Sequence, residues 1–254
     1  MKWFLRYGLL GLLAFLFFLP LLAPAGLMMD LLGKQLMGFS AETIEGSANH
    51  GSAQGVRWRD LSIKHLSWDW QPLALLGGWL EFQLDADDPE AKLMGNVAIG
   101  WNGRLRFRDF SGHLPMAKLS ELAKQPTLPL QGIVKFDLQE LRLSASGQPQ
   151  SAEGRVDVMN VRTLLNRPLS LGDFVMQLKP ATSEGIQGMV KDNNSPLMLE
   201  GILDVAPDGR YRFRGSAAAR DASSQPFLRQ ALSVLGPPSG DGHWKLDFSG
   251  VLSR

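Results

Sequence analysis

From residue 80 to the end of this chain, short segments alternate between apolar and polar residues, and that pattern limits the possible folds more than anything else. Leu80, Phe82 and Leu84 alternate with Glu81, Gln83 and Asp85. Leu105 and Phe107 alternate with Arg104, Arg106 and Arg108, and Val134, Phe136 and Leu138 with Lys135, Asp137 and Gln139. Leu197, Leu199, Leu203 and Val205 share one face, and Tyr211 and Phe213 share another. Trp244, Leu246 and Phe248 stand against Lys245, Asp247 and Ser249. Successive strand side chains point to opposite faces, so period two marks a strand with one buried and one wet face. Weaker strands are expected at 61–70, 93–101, 154–158, 173–178 and 186–190. One-sided alternation suits antiparallel sheets and not the parallel sheet of a dinucleotide-binding fold, which is buried on both faces. The expected fold is all-β and mostly antiparallel, either a β-sandwich or an open curved β-groove. A few short helices join it: Pro115–Lys124, Pro226–Leu235 stopped by Gly236-Pro237-Pro238, a turn or two at Val161–Leu165, and one turn at Leu73–Leu76 after Pro72.

The N-terminus has a different character. Tyr7 to Met29 is a 23-residue run without a charge, rich in Leu and Phe, with Phe15, Phe17 and Phe18 at its centre. A bilayer-spanning helix needs about 20 apolar residues. Lys2 and Arg6 precede the run and Asp30 follows it, so the positive-inside tendency keeps the N-terminus cytoplasmic and exports the rest. The rival reading is a cleaved signal peptide with Ala23-Pro24-Ala25 as its processing site, although apolar residues continue through Leu27, Met28 and Met29. Either way, the body is expected in the periplasm. With an uncleaved anchor, the chain is a single-pass inner-membrane protein: 1–30 form the cytoplasmic N-terminus and transmembrane anchor, 31–40 a connector, and 41–254 a periplasmic β-rich domain.

That domain contains a hint of repetition. Gly103-Arg-Leu-Arg-Phe-Arg108 recurs as Gly209-Arg-Tyr-Arg-Phe-Arg214, 106 residues on, and each copy precedes a helix that starts with Pro. Two similar units, about 41–146 and 147–254, are one reading. The other is that strands over one core resemble one another.

Composition removes several functions. The chain has 26 Lys+Arg against 25 Asp+Glu. Taking away Lys2, Arg6 and Asp30 leaves 24 of each in the exported part, so no bulk charge draws it to nucleic acid. With 0 Cys there is no disulfide scaffold, thiol catalysis or Cys-based metal site. His50, His65, His113 and His243 have no ligand spacing, and no catalytic motif is present. No metal, cofactor or enzymatic activity is expected. The acidic turn of Asp85, Asp87, Asp88 and Glu90 lacks the glycine and spacing of an EF-hand.

Two features could mark a surface for a partner or for lipid. One is the pair of Arg stripes, Arg104/Arg106/Arg108 and Arg210/Arg212/Arg214, which either bind anions or form a solvated face paired with acids on the next strand. The other is the Trp cluster: Trp58, Trp68, Trp70, Trp79 and Trp101. These either pack across strands or form an aromatic surface. Asp69 between Trp68 and Trp70 puts both indoles on one face.

Trp68-Asp-Trp-Gln-Pro-Leu-Ala-Leu-Leu76 resembles the LxWxxxPLxLL stretch of the N protein of the type II, or general, secretion pathway. The segment Gly201…Asp208-Gly209-Arg-Tyr-Arg…Arg214 and the closing run Leu228…Gly236-Pro237…Gly242…Leu246…Gly250…Leu252 resemble its second half. The resemblance covers nearly the whole chain through structural glycines and strand residues. It implies an accessory inner-membrane component of the machine that moves folded proteins out of the periplasm, with no active site to carry over. The implied role is assembly or scaffolding among other inner-membrane and periplasmic secretion components, with the outer-membrane secretin as a further candidate partner. The residues also allow a β-groove that contacts or shuttles lipid at the inner membrane.

Overall fold

The computed structural model describes residues 39–58, 61–122, 130–163, 169–181, 185–220, 226, 228, 232 and 242–252. The strands are β1 (Phe39–Ser40), β2 (Thr43–Gly46), β3 (His50–Trp58), β4 (Leu61–Trp70), β5 (Trp79–Asp88), β6 (Ala91–Gly100) and β7 (Leu105–Pro115). They continue as β8 (Leu130–Leu143), β9 (Pro149–Thr163), β10 (Ser170–Pro180), β11 (Ile186–Asp192), β12 (Leu197–Val205), β13 (Arg210–Ala219) and β14 (Trp244–Val251). A 3-10 turn occupies Pro72–Gly77, and helix α1 spans Met116–Leu122. Pro226, Leu228 and Leu232 are helical, within the segment expected to form the second helix.

All strands join one 14-stranded sheet. From β3 to β14 each strand pairs antiparallel with the next in sequence, while β1 and β2 both pair with the outer edge of β3. The open sheet is therefore the form adopted, and the sandwich is not. A sandwich needs strands to leave for a second sheet, whereas here every strand lies in the same sheet and those from β3 onward follow one another in sequence order. The suggested division at 146/147 falls in the turn Ser144–Gln148, between the two long strands β8 and β9, which pair along most of their length.

One stretch of strand carries no sequence signal, and one expected turn is strand instead. The strands of residues 39–58 carry no clear alternation. In β3, Gly51 stands where an apolar side chain would give the signal, because the Trp68 ring lies against it: a Cβ there would sit 2.6 Å from the ring. Residues 161–163 finish β9 as strand and do not start a helical turn, since Arg162 pairs with Gln131 of β8 and Ser170 of β10. The membrane segment expected at Tyr7–Met29 lies outside the described residues. Among the described residues no helix is long and apolar enough to cross a membrane.

The sheet bends. Strands two positions apart in a flat sheet stand about 9.6 Å apart. Yet Cα atoms of β9 and β11, and of β10 and β12, approach within 8 Å. Gly154 and Gly188 both face Leu178 and Gly201 faces Val190, so small residues alternate with large ones across this stretch of the apolar face. Gly154 also has φ +150°, and a Cβ on it would lie 2.4 Å from the Asp137 carbonyl oxygen. We expect Gly154→Ala to destabilise the chain by roughly 1–3 kcal/mol. Urea unfolding measures this, and an unchanged midpoint would contradict the close packing of β8 on β9.

Candidate functional site

The register of the sheet assembles two contrasting faces. One row of facing residues runs Ala53–Leu66–Ala86–Leu93–Gly112–Phe136 and continues Val156–Met176–Val190–Gly201–Gly215–Leu246. It crosses every strand from β3 to β14, and every member is apolar or glycine. The adjacent row, on the opposite face, runs Ser52–Ser67–Asp85–Met94–Ser111–Asp137 and then Arg155–Gln177–Met189–Ile202–Arg214–Asp247. The period-two pattern is thus kept in phase across the sheet by β-bulges, with Asp109 (φ +48°) as the extra residue opposite Gly95 and Asn160 (φ +55°) opposite Gly132.

The apolar face is covered at its two ends. Ala41 and Ile44 pack on the cluster of Ala53, Val56, Ile63, Trp68 and Ala86 at the first end. Leu232 packs with Ala217, Trp244 and Leu246 at the other. Between them Leu138, Ala152, Leu178 and Ile186 form a central cluster with Phe136, Val156 and Met176 around it. Helix α1 packs against β7 and β8, and among the described residues no second sheet lies over this centre. Leu80 and Ile99, on the same face, remain 40% and 48% exposed.

The tryptophans divide between the faces. Trp68 and Trp70 share the apolar face, opposite Leu84 and Phe82. Trp68 is buried, and its Nε1–H donates to the Ser47 carbonyl oxygen over 3.2 Å. Trp79 lies on the polar face, where the Arg106 guanidinium stands 4.2 Å over its ring, a cation–π contact. Trp101 is in the β6–β7 turn and 84% exposed.

The two Arg stripes also differ. Arg106 and Arg108 both reach Glu81, which is only 1% exposed. Arg106 Nη2 donates to Oε2 over 3.2 Å, and Arg108 Nη2 donates to Oε1. Glu81 pairs with Ala98 across β5 and β6, and Ala98 with Arg106 across β6 and β7, so the small Ala98 lets the guanidinium cross a strand to the acid. Sequence reasoning missed Glu81 because only this register brings it to the arginines. The 3-10 turn forms the wall of a cleft of about 550 Å³ over these groups, lined by Gln71, Leu73, Trp79, Glu81, Arg106 and Arg108.

The second stripe is an exposed charge ladder. Arg210 pairs with Asp208 over 2.6 Å, Arg212 with Asp247 over 2.7 Å and Arg214 with Asp204 over 3.0 Å. The hydrogen bond from the Arg212 side chain holds the Asp247 carboxyl below the usual carboxylate range. Asp204 is lowered first by the Gln187 amide and then by Arg214. The Arg-Gly likeness of the two stripes has a local cause as well. In both, the peptide N–H after the left-handed glycine donates to a side chain two residues back, Arg104 to Asn102 and Arg210 to Asp208. Among the described residues no three His, Asp or Glu side chains gather as metal ligands.

Exposed ion pairs contribute up to about 1 kcal/mol, whereas removing one partner of a buried pair costs about 3–5 kcal/mol. Arg214→Ala is therefore expected to lower stability by under about 1 kcal/mol. Arg106→Ala, which leaves the buried Glu81 short of a partner, is expected to cost about 3 kcal/mol. Equal losses in chemical unfolding would contradict the different settings of the two stripes. Because Asp204 and Asp247 titrate below the unfolded value of about 3.9, their stabilisation is complete above that pH and is lost as pH falls through their folded values. Carboxyl carbon NMR titration should give midpoints below about 3.9 for both. Midpoints at or above it would contradict the ladder.

The family described as "Type II secretion system (T2SS), protein N" matches residues 37–247, from just before β1 into β14. The type II secretion system protein N of Vibrio cholerae serotype O1 is 29% identical over 228 residues, 85% of this chain and 86% of its own length. That of Pectobacterium carotovorum subsp. carotovorum is 26% identical over 250 residues, 96% of each chain. That of Aeromonas hydrophila is 25% identical over 247 residues, again 96% of each. No solved structure matches. The match takes in the sheet from β1 into β14, well over half of the chain, and the chain belongs to the type II secretion system protein N family.

Proposed function

We propose that this chain serves type II secretion as a non-catalytic accessory component, anchored in the inner membrane by Tyr7–Met29, with its open apolar face holding lipid acyl chains in the periplasm. The observation that carries this reading is the unbroken apolar row from β3 to β14, with no second sheet over its centre among the described residues. Apolar surface left in water costs about 25 cal/mol per Å², and each methylene laid against it gains about 0.8 kcal/mol. The 14 residues of β8 run about 48 Å at ~3.4 Å each, against about 15 Å for one leaflet of a 30 Å hydrocarbon core. There is ample length for an acyl chain. Trp68 and Trp70 stand on this face at its β4 end. The polar face, with its paired arginines and acids, keeps the other side of the sheet in water.

A scaffold role among secretion subunits is the second reading, and one observation favours it. Among the described residues β14 has no neighbour beyond β13, and Val251 at its end is 61% exposed. An open edge offers unpaired backbone groups for strand addition by a partner.

Native mass spectrometry of the full chain, released from detergent, decides between them. Copurified phospholipid is expected, reduced by the double substitution Phe136→Ser and Met176→Ser in a chain that still gives a β-sheet circular dichroism spectrum. A natively folded chain that carries no lipid but retains secretion subunits would overturn the lipid reading in favour of the scaffold.

A further inference from the structure

We infer a second lipid-binding element: the end of the sheet formed by the 3-10 turn and the β6–β7 turn docks on the surface of an anionic bilayer. This goes beyond the occupancy of the apolar face and stands or falls without it.

Three large apolar side chains protrude here with nothing over them. Leu73, Leu76 and Trp101 are 79%, 89% and 84% exposed, more than any other large apolar residues among those described. In a 3-10 turn residues three apart lie on one side, so Leu73 and Leu76 point the same way. The turn is fixed in place. Gly78 ends it in the left-handed region at φ +77°, its N–H donating to the Leu75 carbonyl oxygen over 2.9 Å. The Trp101 ring lies on Gly78, and a Cβ there would stand 3.1 Å from it. The three side chains are thereby held together by two turns at one end of the sheet. Exposure on this scale, on turns that the backbone holds firmly, marks an interaction surface.

The charges beside them identify the partner. Next to the wedge is a cleft of about 680 Å³ whose lining includes Arg104, Arg106 and Arg142 and no acid. Arg106 and Arg142 also pair with Glu81 and Glu140. The Arg104 side chain is exposed and has no acidic partner among the described residues. An apolar wedge of two leucines and a tryptophan, collared by arginines, is complementary to a membrane interface: Trp at the headgroup level, Leu among the first methylenes, and guanidinium groups on phosphates.

The absence of Cys allows a direct test. Ala145→Cys places one label in the exposed β8–β9 turn, where the Ala145 side chain lies 3.2 Å from a Cβ built on Gly103. Lys191→Cys, exposed near the opposite end of the sheet, is the control. The full labelled chain is reconstituted in nanodiscs, with spin-labelled lipid placed either in the disc or in added vesicles. We expect quenching at 145 and not at 191. The quenching should be strong with phosphatidylglycerol present and weak with phosphatidylcholine alone. The triple substitution Leu73→Ser, Leu76→Ser and Trp101→Ser, confined to exposed side chains, should abolish it while circular dichroism is unchanged. Arg104→Ala should weaken apparent binding about fivefold. Absence of quenching at 145 in both arms would overturn the proposal. So would equal quenching in neutral and anionic bilayers, or protection of the label by purified secretion subunits and not by bilayers.

Discussion

Every strand from β3 onward finds its hydrogen-bonding partner in the next strand along the chain, and this constraint decides the rest of the structure. A meander of this kind satisfies backbone N–H and C=O groups with no long-range crossing. It also spends every strand on one sheet, so none is left to cover the apolar side. The alternation remains in phase from Ala53 to Leu246 because register cannot slip by one residue without moving each apolar side chain into water. The result is one sheet with two faces of opposite chemistry.

How the apolar side is managed follows from that. Short elements cover its ends, through Ile44 at one and Leu232 at the other. The middle relies on curvature. Glycines at 154, 188 and 201 face larger side chains there, and the side chains around them shield one another. This accounts for the half-buried state of Val156 and Met176 in a sheet without a second sheet over it among the described residues. It also leaves a continuous apolar surface from β3 to β14.

Much of this was legible in the sequence. Strands such as Val134–Leu138 and Trp244–Phe248 announce themselves because their wet faces carry charges at each alternate position. β3 was not legible, because Gly51 yields its side-chain space to Trp68, and that exchange exists only in three dimensions. The choice between sandwich and open sheet was equally hidden: alternation says that a face is apolar and not what lies against it. At the candidate sites, the arginines could be named but their settings could not. Arg212 and Arg214 meet acids in water, while Arg106 crosses Ala98 to a buried Glu81, a difference set entirely by register. The neutral balance of residues 31–254, 24 bases against 24 acids, is consistent with a polar face neutralised locally by such pairs.

For a member of the type II secretion protein N family without a catalytic constellation among its described residues, the use of the apolar face is the central question. A photo-crosslinking amino acid placed singly along β8 in living cells answers it most directly. Phospholipid adducts are expected from Val134, Phe136 and Leu138, which face the apolar side, and not from Lys135, Asp137 or Gln139, which face water. Period-two lipid labelling of one strand would establish an occupied groove. Adducts to lipid from both sets alike, or to protein alone from the apolar set, would contradict it.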